Sequence, residues 1–175
     1  MRKIVLFEYF LKKLVVWYCD YYRIDVTQFN NHSNNDLSKL KVIKLHFFTC
    51  STSRDALEIF NDFHAMPYGH VESEIYNLLD RLSFFTVTNS SLLINDDRNF
   101  DLINSIDSQI IDNAILSLMD ENSNLIALKP FQLVELSHKW FSWRYNFQQA
   151  KKSGLYSKRI NNDLILQEEK YYSLF

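Results

Sequence analysis

The chain has 175 residues, 47% of them hydrophobic and 15% aromatic, with a formal net charge of -2. That length and apolar share exclude a disordered chain and fit one domain with a dense, aromatic-rich interior. The slightly negative balance excludes a global basic field that would gather nucleic acid or anionic lipid.

Residues 3–23 come first. Ile4, Phe7, Leu11, Leu14, Val15, Tyr18 and Tyr22 recur at helical spacing and predict a long amphipathic helix. Glu8, Lys12 and Lys13 interrupt its apolar run and no small-residue cleavage site follows, so neither a secretory leader nor a membrane span is expected. Cys19 and Cys50 fall in apolar helical segments and form no disulfide framework, which predicts a reduced, cytoplasmic setting. DVTQFNNHSNN reads as a polar loop, with Asn35 or Asp36 capping the next helix. In LSKLKVIKLHFFTC, Leu37, Leu40, Ile43 and Phe47 mark one face, and Val42, Leu45 and Phe48 widen it, which predicts a central helix.

Residues 54–63 fit either a helix or an extended segment. The stretch FHAMPYGHVESEIYNLL then holds one of the chain's two prolines, Pro67, and one of its two glycines, Gly69. Pro67 pushes Met66 out of helical angles, and Gly69 takes positive φ at little cost. A rigid bend is expected here, before a helix over residues 71–82. Val71, Ile75, Leu78, Leu79 and Leu82 are expected inside that helix, and Glu72, Glu74 and Asp80 outside.

FFTVTNSSLLI, residues 84–94, predicts a small hairpin. After the polar connection INDDRNFD, Asn104 or Ser105 is expected to cap a helix carrying Ile106, Ile110, Ile111, Ala114, Ile115 and Leu118. Pro130 suits the first turn of a short helix, FQLVELSHK. SWRYNFQQAKK predicts another helix, ended by Gly154, and Asn161 or Asn162 is expected to cap a last one running through LILQEEKYYSLF. No repeat or low-complexity linker divides the chain. The fold class is therefore mainly α, a compact multi-helix single domain over residues 1–175 with a small β-hairpin.

Chemistry is sparse. His32, His46, His64, His70 and His138 lack metal-ligand spacing; His64 and His70 read as partly exposed loop histidines, with convergence across the bend as the alternative. Cys50 has no local group to lower its pKa and reads as packing. Two glycines are too few for a nucleophile elbow, a P-loop or a dinucleotide-binding turn. The pairs Glu72 and Glu74, Asp96 and Asp97, and Glu168 and Glu169 read as solvated surface. No catalytic residue, metal or cofactor is expected. Lys139, Arg144, Lys151, Lys152, Lys158 and Arg159 interleave with Trp140, Trp143, Tyr145 and Tyr156. That mixture suits a solvated face over core aromatics, an interface for an acidic protein or a nucleic-acid groove, the last disfavoured by the overall charge.

Phe63, Ala65, Tyr68, Gly69, Val71 and Tyr76 form a spaced pattern. It resembles the hallmark segment of the Panacea domain, the SocA-like antitoxin family, in which an aromatic–x–Ala–Trp–x–Tyr–Gly–Pro–Val run precedes a helix bearing a tyrosine. Three further stretches follow the family's order. KLKVIKLHFF resembles its Leu-x-Lys-Leu helix, through Lys44 and Leu45. LVELSHKWFSWRYN resembles its Thr-His…Pro-Trp segment, through His138 and Trp143, with Arg144 beside them. INNDLILQEEKYYSLF resembles its closing helix, which often ends in a tyrosine–phenylalanine-type pair. The resemblance covers roughly residues 3–175. The chain departs from the pattern at Met66 for Trp, His70 for Pro, Ser137 for Thr and Ser142 for Pro. The resemblance implies an antitoxin that neutralises a cognate protein toxin, usually encoded beside it, by direct contact. In some members it implies an adaptor that delivers the toxin to a protease, and some members occur on phage-related elements. No catalytic residue carries over. The alternatives are a nucleic-acid or adaptor module using the C-terminal third, and an enzyme using His64, His70 or His138.

Overall fold

The computed structural model describes residues 2–96 and 105–174. Asp97, Asn104 and Phe175, which figure in the expectations above, lie outside these residues. Helix α1 (Arg2–Tyr22) buries Phe7, Leu11, Leu14, Val15 and Tyr18 of its predicted stripe, and Phe10 and Trp17 besides, and lies along α5 (Ser105–Asn122). The following segment is not a plain loop. The Asp25 carboxylate accepts from the Thr27 amide at 2.8 Å, and the Gln28 side chain accepts from the Asp25 amide at 3.0 Å. This reciprocal cap winds Val26–Asn31 into a 3₁₀ helix that buries Phe29.

Helix α2 (Lys39–Ser51) is central, as its broad apolar face predicts: every residue from Lys41 to Ser51 is buried. Its cap is Ser38, whose hydroxyl accepts from the Lys41 amide, and neither Asn35 nor Asp36. Those two side chains have other partners. Asn35 donates to the Leu92 carbonyl at 2.9 Å, and Asp36 receives the Lys41 ammonium at 2.6 Å. Residues 54–63 divide between both expectations, with a short helix α3 (Arg54–Ile59) followed by the start of a strand.

The largest correction follows Pro67. The bend is the turn of a β-hairpin, β1 (Phe63–Met66) against β2 (Gly69–Glu72), with Ala65 opposite His70 and Met66 opposite Gly69. Gly69 closes the turn at φ +98. The expected helix over 71–82 is therefore a strand, then α4 (Ser73–Leu78), then one 3₁₀ turn, Leu79–Arg81. Glu72 makes the switch. Its carboxylate caps α4 by accepting from the Ile75 amide at 2.7 Å. Far from being solvated, Glu72 is buried, and Lys3 of α1 reaches it at 2.8 Å while also binding Glu74. The two carboxylates share no helix face, yet they share one ammonium. A short strand β5 (Lys158–Arg159), absent from the sequence expectations, pairs with the other edge of β1.

The remaining elements follow their signals. The second hairpin forms as expected from β3 (Phe85–Val87) and β4 (Leu92–Ile94). Ser105 is the first residue of α5. Pro130 opens α6 (Pro130–His138), and α7 (Phe141–Lys152) ends at Gly154, φ +69, where the Leu155 amide returns to the Ala150 carbonyl at 2.9 Å. Asn161 caps α8, but α8 (Asn162–Gln167) stops early. The residues after it run irregularly past the end of α2 and the α6–α7 junction, where side chains engage them: Trp140 Nε1 donates to the Tyr171 carbonyl at 3.1 Å, and the Tyr172 hydroxyl meets Ser51 Oγ at 3.0 Å. The result is a mainly α fold with two small antiparallel sheets around one hydrophobic cluster. Among the described residues, no helix is long and apolar enough to cross a membrane.

Candidate functional site

The Pro67–Gly69 turn is held from below by a buried polar network. Lys44, on α2, donates its ammonium to the His70 carbonyl. The His70 amide donates to Ser137 Oγ at 3.1 Å, and its Nδ1 lies 2.8 Å from the same hydroxyl. His70 Nε2 meets Ser142 Oγ at 2.8 Å, and the imidazole stacks on Phe47 with ring centroids 3.6 Å apart. Hydroxyls rotate to give or accept a proton, so both ring nitrogens are satisfied in a neutral imidazole. Burial, reinforced by the Lys44 charge, holds His70 well below the usual histidine range. Lys44 is likewise desolvated, its pKa brought down to about 7. His70 is thus a fully buried strand residue rather than a partly exposed loop histidine.

Residues far apart in sequence are joined here: the His70 imidazole bridges Ser137 and Ser142. Gly69 is required by the same closeness. A Cβ there would lie 2.4 Å from Ser137 Oγ and 3.2 Å from Lys44 Cε, in addition to the strained positive φ.

The residues singled out in the sequence fall into distinct roles. Ala65 is buried on β1 opposite His70. Trp143 donates its Nε1 to the Met66 carbonyl at 2.8 Å and stacks on His138, centroids 3.7 Å apart. His138, lowered by burial, is hydrogen-bonded to the Pro67 backbone. These two rings prop up the turn from α6 and α7. Arg144 is exposed on α7, outside this contact. Tyr68 is 58% exposed at the tip of the turn, edge-on to Phe131, itself 64% exposed. Beside Tyr68 opens an apolar groove of about 410 Å³, lined among others by Leu40, Ile43, Met66, Val71 and Tyr76. Lys39 Nζ stands 4.1 Å above the Tyr76 ring.

Sequence reasoning missed Phe131. Its signal is present: on α6 the buried stripe is Leu133, Val134 and Leu136, and an aromatic off that stripe faces solvent. The Cys50 reading also needs one amendment, since His46 Nε2 lies 3.5 Å from the thiol, one turn away. Both are fully buried, with Cys50 pushed up and His46 brought down to about 3, so the thiolate–imidazolium state that would activate a cysteine is disfavoured on both sides.

Elsewhere in the C-terminal third, Trp140 is core, while Leu155 and Tyr156 are exposed near Lys151 and Lys152. Glu168 is not freely solvated, as it accepts from the Ser142 amide at 2.8 Å, whereas Glu169 is exposed. His64 lies on β1 and meets Asp62 at 3.2 Å, apart from the His70 network, and no histidine lines the groove beside Tyr68. Among the described residues, no group of three or more His, Cys, Asp or Glu is placed to hold a metal ion. No family model, curated protein or solved structure matches the chain.

Proposed function

We propose that this chain is an antitoxin-type binding protein that neutralises a cognate protein toxin by direct contact, docking it on the Tyr68–Phe131 face. One observation carries the reading. Three of the four segments that resemble the Panacea pattern meet at one turn: Lys44 from α2, Ala65 to Val71 from the hairpin, and Ser137, His138 and Trp143 from the stretch that spans α6 and α7. The turn is held beneath by buried hydrogen bonds and exposes Tyr68, edge-on to the exposed Phe131 of α6. Exposed, pre-positioned aromatics beside a groove are the usual anchors of a protein interface, because they bury much area for little lost side-chain freedom. In this reading His138, Trp143 and His70 are structural, Tyr68 and Phe131 touch the toxin, and the protein acts in the cytoplasm. An adaptor role toward a protease would place a second contact elsewhere on the surface.

The test is co-expression with the product of the adjacent gene, scoring growth and co-purification together. The expected result is that the neighbour alone arrests growth, and that this chain rescues growth and co-purifies with it. A harmless neighbour that does not co-purify overturns the antitoxin role.

The exposed Leu155 and Tyr156 beside Lys151 and Lys152 favour a second reading, a nucleic-acid-associated module. It requires binding to single-stranded nucleic acid that weakens steeply with salt. Absent or salt-insensitive binding removes it.

A further inference from the structure

The groove beside Tyr68 has a charge pattern of its own. Its walls are largely apolar, and its charged lining residues are Lys39 and Lys44, with no carboxylate among them. Lys44 is fully buried, and its ammonium, which carries three donors, has one protein acceptor, the His70 carbonyl. Lys41, on the same helix, is the contrast: it is equally buried, but it holds the Asp36 carboxylate at 2.6 Å. A buried ammonium is ordinarily paired with an anion, and among the described residues no carboxylate is paired with Lys44. A cavity of about 410 Å³ is within the size range of small-molecule sites.

We propose that this groove binds a small amphiphilic carboxylate, of the class of a medium-chain fatty-acid anion. The alkyl part lies against Ile43, Met66 and Val71, and the carboxylate is drawn to the end marked by Lys39 and Lys44. Lys39, half-buried above Tyr76, is the cation an incoming ligand meets. Lys44 lies closed from water under the turn at the groove's edge, and its charge, carried at and below about pH 7, draws an anion from there. The site belongs to the chain alone and does not depend on a toxin.

The experiment titrates the purified full chain with octanoate, octan-1-ol and octylamine, below their aggregation concentrations, and follows side-chain methyl signals by NMR. Octanoate should shift Ile43, Met66 and Val71 saturably, bind about tenfold tighter than octan-1-ol, and exceed octylamine by more. Lys39→Gln should weaken octanoate several-fold and leave octan-1-ol unchanged. Lys44→Met, which keeps most of the stem, should abolish the preference for the acid. If that variant does not fold, Lys39→Gln and the comparison of acid with alcohol decide the matter. No shift at the groove with octanoate, shifts confined to other residues, or equal affinity for acid and alcohol would overturn the proposal.

Discussion

Two histidines lie in the interior, His46 on α2 itself and His70 stacked against that helix, and they differ in what surrounds them. His46 points into Phe7, Phe10 and Phe60, meets them edge-on, and leaves its Nδ1 without a partner. His70 lies flat on Phe47 and has a serine hydroxyl at each ring nitrogen. Both are neutral because burial disfavours the imidazolium. The difference lies in connection. His46 fills space among aromatics, so an apolar residue of similar size replaces it. His70 ties β2 to α6 and α7, so its loss orphans hydroxyls and loosens the turn that carries Tyr68. Burial alone does not tell a packing histidine from an organising one; the number of satisfied polar partners does.

The largest effect is expected at Gly69, under which Ser137 and Lys44 pack. Gly69→Ala places a Cβ within 2.4 Å of Ser137 Oγ and forces a non-glycine residue to φ +98. A loss of about 3 kcal/mol or more is expected from that overlap and strain, read as a collapse of the urea midpoint or as insoluble protein. Next comes His70→Leu, which removes the bridge between Ser137 and Ser142. It should cost about 2–4 kcal/mol in chemical denaturation, because buried hydroxyls lose their partner.

His46→Leu sharpens the other half of the comparison. At neutral pH it should change stability by less than about 1.5 kcal/mol, as volume-conserving core substitutions do. In acid it should be the more stable chain. His46 titrates near 3 when folded and near 6.5 when unfolded, so the unfolded state takes up the proton first. Its share of stability is therefore lost as pH falls from 6.5 towards 3. By about pH 4.5 that share amounts to about 2–3 kcal/mol. His70 contributes in the same sense, so part of the acid sensitivity should remain in the variant. Denaturation midpoints of both chains across this range check it, and parallel curves would contradict the assignment.

Much of the helical frame was legible, and for physical reasons. The stripes of α1, α2 and α5 bury most of the residues that recur at helical spacing, with Ile4, Tyr22, Leu40 and Ile110 half-buried and Ile106, in the first turn of α5, exposed; Pro130 and Gly154 punctuate the chain at a helix start and a helix end. What was hidden depended on distant residues. Val71 and Glu72 look helical in sequence because they precede a true helix, yet β1 recruits them by pairing, and Lys3 from the far end of the chain neutralises Glu72. The two residues of β5 are too few to show alternation. The closing segment carries a helical pattern, but Trp140 at the α6–α7 junction and Asn122 at the end of α5 draw its backbone carbonyls into other bonds. At the candidate site, Gly69, Tyr68, His138 and Trp143 were legible as a set. The role of His70 was not, because Ser137 and Ser142, which define it, lie 67 and 72 positions away.

In the proposed role Tyr68 on the turn and Phe131 on α6 make the binding contact from exposed positions, so that the face can be lost without the fold. The measurement that tests it most directly compares the double variant Tyr68→Ser, Phe131→Ser with the natural chain, co-expressed with the neighbouring gene product and melted alone. The account predicts a thermal midpoint within a few degrees of the natural chain, as for substitutions of exposed residues, together with loss of rescue and of co-purification. Full rescue by the double variant, or rescue lost only along with the fold, would contradict it.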